Sequence, residues 1–289
     1  MKNRRNRMEK TFCVLVKFIA FAAVSILSLI LIFILKESIG VFSKVSFISF
    51  IFGTEWQPLN SNKAGIMPFL LSTLYVSFIA VLIAMPIGIG FSIFMSILVN
   101  QRLKYVLKAF VNMLAGIPSV VYGFIGLSVI VKFFEKYLFF STGESILCAA
   151  ILLSIMILPY IVSSCDETMS KAYEKYEVYS KALGVSKWYM ISNLILPVCK
   201  KSILCSTILA TARAMGETMA VMMVIGNSPV MPTLFGKGET IPALIALEMG
   251  SAQIGSFHYH GLFASGFVLM MLILLINIIF YTINRKIQV

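Results

Sequence analysis

Two charged side chains stand inside an apolar segment that is otherwise long enough to cross a membrane. They are Arg213 and Glu217, set among Ala212, Ala214, Met215 and Gly216 in the stretch 202–226. An arginine at the centre of a membrane helix costs about 2.5–3.5 kcal/mol on insertion scales, so such a residue normally faces a polar cavity or a partner. Four positions apart, the two fall on one face of a continuous helix, about one turn from each other. Two chemistries fit. The guanidinium can receive an oxyanion in its planar fork of donors while Glu217 holds or gates it. Alternatively the pair is a structural salt bridge between helices. Other candidates for chemistry are poor. His258-x-His260 is the only histidine pair and has no third ligand at metal-binding spacing, so no metal site is expected. No GxxxxGK[ST] loop occurs, so any ATP must bind to another chain.

The second concentration of charge is the insert 166–201. It holds Asp166, Glu167, Lys171, Glu174, Lys175, Glu177, Lys181, Lys187, Lys200 and Lys201. Gly184 lies thirteen positions before Pro197. Glycine takes the backbone angles of a sharp turn, and proline is tolerated in the first turn of a following helix. The pattern predicts two short helices hinged at Gly184, forming an amphipathic element along the membrane surface.

These elements belong to a chain of 289 residues that is 59% hydrophobic and 12% charged, with a mean hydropathy of +0.94. A soluble globule is nearer half apolar and a quarter charged, so the expectation is an all-α polytopic membrane protein. The five cysteines show no paired spacing and read as small buried apolar residues. Six spans are expected. The first is an uncharged run at 18–35 behind a basic head, too long for a signal-peptide core and read as a retained helix. The others are 64–101 with Pro86 near its middle, 109–131, 145–165, 202–226 and 261–284. A mixed loop at 36–65 carries Trp56, suited to a membrane interface. A half-apolar patch at 241–252 has the composition of a re-entrant segment. Residues 1–65 thus form a head, first helix and outer loop, and 66–284 a core of five helices with the insert 166–201.

Orientation follows from Lys and Arg. With the N-terminus in the cytoplasm, six basic residues up to Lys17, three at 102–108, six in the insert and two at the C-terminal end lie inside, against six outside. That bias places both termini and the Gly184 turn in the cytoplasm. It also accounts for the net charge of +12 without invoking nucleic acid.

The insert resembles the EAA loop of bacterial ABC-transporter permeases: Glu-Ala-Ala, three residues, Gly, nine residues, Ile-x-Leu-Pro. Gly184, Leu194, Leu196 and Pro197 are in register. Val178-Tyr179-Ser180 replace Glu-Ala-Ala, with Glu177 one place early. The run from Thr211 to Ala220, followed by Ile225-Gly226-Asn227, is similar to phosphate-specific permeases of the Pst system. Residues 52–58, Gly65-Ile66-Met67-Pro68 and the run from Gly116 to Gly123 point to the PstC-type subunit.

The resemblance implies a type I ABC importer permease fold in a bacterial cell membrane. It implies a coupling loop through Glu177, Ala182, Leu183, Gly184, Leu194, Leu196 and Pro197, and a phosphate path at Arg213 and Glu217. The implied partners are a PstA-type permease, PstB-type subunits holding ATP and Mg, a PstS-type external binding protein and membrane lipid. No cofactor is expected on this chain. A permease for molybdate or sulfate is the nearest alternative; an intramembrane enzyme would lack a catalytic constellation, and a channel or scaffold would leave the Gly184 loop unexplained.

Overall fold

Helices account for nearly all the regular structure of the computed structural model. It describes residues 2–286 apart from 60, 62 and 139–141; the side chains of 2–11, 138 and 283–286, including the basic head and Arg285-Lys286, lie outside the described ones. In chain order come α1 (Lys2–Phe42), α2 (Phe47–Phe52), a two-residue hairpin of β1 (Trp56–Gln57) and β2 (Lys63–Ala64), and α3 (Met67–Ile93) with a π turn at Phe94–Leu98. Next are α4 (Gln101–Gly116), α5 (Ser119–Ile125) running into a π turn at Gly126–Val131, α6 (Lys132–Leu138) and α7 (Ile146–Ala182). The chain returns through α8 (Lys187–Met190), a π turn at Ile191–Ile195 and α9 (Leu196–Met215), and closes with α10 (Met219–Met222), α11 (Ile241–Glu248) and α12 (Phe257–Lys286).

Five of these stretches are long and apolar enough to cross a membrane: Phe12–Phe42, Met67–Leu98, Ile146–Ala182, Lys187–Met215 and Phe257–Thr282. The expected third span, 109–131, is not one helix. It breaks between α4 and α5, which meet at 94°, and only by counting that bent pair does the total reach six. The cause is local. Pro118 has no N–H to donate and forces Ile117 out of the helical region, to φ −71° and ψ 128°. The carbonyls freed at the end of α4 find side-chain donors instead: Tyr122 Oη donates to Leu114 O at 2.9 Å and Tyr160 Oη to Ala115 O at 3.3 Å.

The main core lies where α3 and α9 pack on α7, and small residues set the spacing. A Cβ added at Gly88 of α3 would sit 2.7 Å from Ile161 Cγ2 of α7, so only glycine allows that approach. The outer end of α7 is capped by Ser145, whose Oγ accepts from Cys148 N. Its first amides donate to carbonyls of the loop after α10: Ser145 to Val224, Ile146 to Gly236 and Leu147 to Leu234.

A second core closes the outer end, where Val41, Phe50, Phe69, Leu244 and Leu262 meet. Trp56 is half-buried in this core: its ring is edge-on to Phe69, and Nε1 donates to Glu248 Oε2 at 2.9 Å. The patch at 241–252 folds as α11, whose first turn is buried and tied to α3 by Ile241 N donating to Thr73 Oγ1. Of the cysteines, Cys148, Cys165 and Cys199 are buried as expected, whereas Cys13 and Cys205 are exposed on the isolated chain.

Candidate functional site

Arg213 lies in the last turn of α9, where a cation is favoured by the helix dipole. The helix ends at Met215 with Gly216 as its cap, and Glu217 N donates to Ala214 O beyond it. Glu217 is therefore off the helix, and the shared face expected from the four-residue spacing does not form. Among the described residues no ion pair joins Arg213 to Glu217. The guanidinium carbon of Arg213 instead stacks 4.0 Å from the ring centroid of Tyr160, on α7. Cation and π face attract each other, and a stacked guanidinium keeps its in-plane donors free for a ligand. Tyr160 in turn holds Ala115 of α4, so arginine, tyrosine and the 94° break form one assembly. Arg213 is exposed on the isolated chain and Glu217 half-buried.

At the other end of α7 the insert differs from two hinged short helices. Its first half continues α7 without interruption to Ala182. At about 1.5 Å per residue, 37 residues extend for about 55 Å against roughly 30 Å of hydrocarbon, so this end projects well beyond a bilayer. The hinge itself is where expected. Gly184 has φ +66°, and Val185 N donates back to Ser180 O and Gly184 N to Lys181 O, closing the helix end. Ser186 then caps α8.

The residues expected in the coupling loop separate into two groups. Ala182, Leu183 and Gly184 stand exposed at the tip, and Glu177 lies below them, paired with Lys181 at 2.8 Å and accepting from Tyr173 Oη. Leu194 and Leu196 instead pack inward against the main core, beginning the return helix. Pro197 enters that helix directly after the π turn, where Leu196 N donates to Ile191 O, the wider ring relieving the clash a proline makes with a regular preceding turn. Sequence reasoning missed the aromatic part of the tip. Leu183 (78% exposed), Trp188 (68%) and Tyr189 (55%) form an apolar surface among charged residues.

It also missed Asp166, which counted there as one of many loop charges. Asp166 is only 2% exposed. Its Oδ1 accepts from Ser96 Oγ and Ser170 Oγ, both at 3.2 Å, and lies 3.7 Å from Lys104 Nζ; Oδ2 lies 3.7 Å from Lys108 Nζ. The signal was present in Lys104 and Lys108, one helical turn apart on α4 and so able to share one carboxylate.

A family profile described as "Binding-protein-dependent transport system inner membrane component" matches residues 88–289. The chain belongs to that family. As such a component it is a multi-pass inner-membrane transport subunit rather than an enzyme, and it works with a separate binding protein. The matched residues include both the Gly184 turn and Arg213. The "Probable ABC transporter permease protein YqgH" of Bacillus subtilis (strain 168) is 36% identical over 98% of this chain and 91% of its own length. The "Phosphate transport system permease protein PstC" of Xylella fastidiosa (strain Temecula1) is 34% identical over 77% of this chain and 74% of its own. Among solved structures, an inward-facing MetNI methionine ABC transporter chain superposes with a TM-score of 0.59, covering 75% of this transport component and 93% of that chain. At 16% identity that likeness fixes the fold, an ABC importer permease.

Proposed function

We propose that this chain forms one half of the translocation path of an ATP-driven importer of inorganic phosphate. The observation that carries the reading is the Arg213 guanidinium, stacked on Tyr160 beside a broken span. A planar fork of donors held by its face is suited to a tetrahedral oxyanion passing its edge. The names of several relatives, phosphate transport system permease proteins at 31–34% identity, support phosphate over sulfate or molybdate. Glu217, off the helix beyond Gly216, belongs to the same path in this reading.

In this reading residues 66–284 are the permease core, paired with a PstA-type permease. The tip at Ala182, Leu183 and Gly184, with Trp188, docks on a PstB-type subunit that binds ATP and Mg, and a PstS-type protein delivers phosphate to the outer face. Both termini lie in the cytoplasm, as the basic bias requires.

The test is co-purification of the chain with its partner subunits, followed by uptake of labelled phosphate into proteoliposomes with sulfate and molybdate as competitors. ATP-dependent phosphate uptake that neither competitor suppresses is the expected result. Uptake of sulfate or molybdate in preference to phosphate would overturn the substrate, and failure to recover an ATPase would overturn the class.

A further inference from the structure

We propose that Asp166 is a positioning residue through which α7 carries α4, and with it the broken span beside Arg213, when the docking tip is moved. The proposal rests on the importer reading above and adds a part of its coupling path.

The geometry joins three facts. First, α7 runs without a proline from Tyr160 to Ala182, its one internal proline being Pro159, so displacement of the tip reaches Asp166 and Tyr160 as motion of a rod rather than being absorbed at a joint. Second, α4 is fastened to that rod at two levels. Near its start, Lys104 and Lys108 reach the buried Asp166, and Lys104 Nζ also donates to Ser170 Oγ at 2.7 Å, one turn further along α7. At its end, Ala115 O accepts from Tyr160 Oη. Third, Tyr160 is the residue on which Arg213 stacks. Six residues of α7, about 9 Å of rise, separate Asp166 from Tyr160.

The two attachments differ in strength. Tyr160 makes a single neutral hydrogen bond at 3.3 Å, whereas Asp166 brings a charge shielded from water, two serine hydroxyls and two ammonium groups. Ser96 also ties the carboxylate to α3, whose Ser92 Oγ bonds Val162 O of α7. Asp166 thus sits at the crossing of the three helices that surround the inner half of the path. A charge in that position is costly to leave unpaired, so α4 follows the carboxylate rather than letting go of it.

The consequence is specific. With the link cut, α7 still answers the ATPase, but α4 and the break at Ile117-Pro118 no longer move in step. ATP is then hydrolysed with less phosphate delivered. A carboxylate that merely staples the fold would instead lower assembly, hydrolysis and uptake together.

The experiment reconstitutes the full complex with Asp166→Asn, which keeps the size and the serine contacts while removing the charge. ATP hydrolysis and labelled phosphate uptake are read in the same proteoliposomes. A second variant, Asp166→Asn with Lys104→Gln and Lys108→Gln, removes the same link without leaving any charge unpaired, and decides the matter if the single change does not assemble. The expected result is assembly and ATP hydrolysis near the wild-type level with phosphate delivered per ATP lowered about tenfold, an ordinary size for coupling between sites. An unchanged ratio in either assembled variant overturns the proposal, whatever the absolute rates. Absence of phosphate uptake by the wild-type complex would strike the importer reading itself, a separate result.

Discussion

The two ends of the molecule are finished in opposite ways. At the end where α1, α2, α11 and α12 meet, polar side chains pair within the chain, although His258 Nδ1 is buried without a partner. Trp56, Glu248 and His258 form one hydrogen-bonded set, with His258 Nε2 2.7 Å from Glu248 Oε2, and His260 Nδ1 lies 2.8 Å from Glu37 O, tying α12 to α1. Val41, Phe50, Phe69, Leu244 and Leu262 are buried against one another there, while Ile48, Leu59 and Ile254 stay exposed. At the Gly184 end α7 runs on past its apolar span and presents Leu183, Trp188 and Tyr189 to water, beside the ion pair of Lys181 with Glu177. An apolar surface among charges is what a partner covers, so the Gly184 end sets what the fold attaches to.

The largest effect that would sharpen this contrast is at the tip. Trp188→Ala should weaken docking of the ATPase by about 2 kcal/mol or more, the size typical of a buried aromatic anchor, while leaving membrane insertion unchanged. Pull-down of the ATPase in detergent measures it, and equal recovery would show that the apolar tip is not the docking surface. Gly184→Val comes next. A β-branched residue at φ +66° costs about 1–3 kcal/mol locally, although there is open space around the position, so docking and uptake should fall with expression unchanged.

The end that holds Glu239 should respond to pH between about 4.5 and 7. Glu239, in the segment between α10 and α11, is buried, and burial together with the nearby Glu248 charge pushes its carboxyl up to about 7. The native state therefore holds a proton that the unfolded chain releases at ordinary carboxylate pH. The stability this contributes is complete below about 4.5 and is lost as pH rises through about 7. The melting temperature of the detergent-solubilised chain should fall across that window, and Glu239→Gln should flatten the fall. An equally steep fall in the variant would assign the dependence to other groups. The smallest effect belongs to the exposed pairs: Lys171→Ala should leave the melting temperature in the same assay unchanged.

Hydropathy made the spans of α3, α7 and α12 legible, and the Gly184 turn was legible because positive φ leaves few residues to choose from. What it could not show has one physical origin. Hydropathy marks where the chain leaves the membrane, not where a helix ends. The polar residues after Asp166 therefore read as a new element, although they continue α7 as a rod. Conversely, the apolar runs around Pro118 and Gly216 read as continuous spans, although backbone chemistry breaks both. The second break is why spacing put Arg213 and Glu217 on one face and the structure does not. Tyr160 as the partner of Arg213 was out of reach, since it depends on how α7 and α9 pack.

The central claim is that Arg213 receives the transported oxyanion, and its most direct test is labelled phosphate uptake by the double variant Arg213→Ala with Glu217→Ala. Uptake is normalised to membrane-inserted protein, with the partner subunits present. Since the two side chains do not neutralise each other, removing both should leave insertion and assembly intact and abolish transport, and Arg213→Lys, which keeps the charge but not the fork, should lower it substantially. Near-normal uptake by the double alanine variant would contradict the account and leave Arg213 as a structural cation over Tyr160.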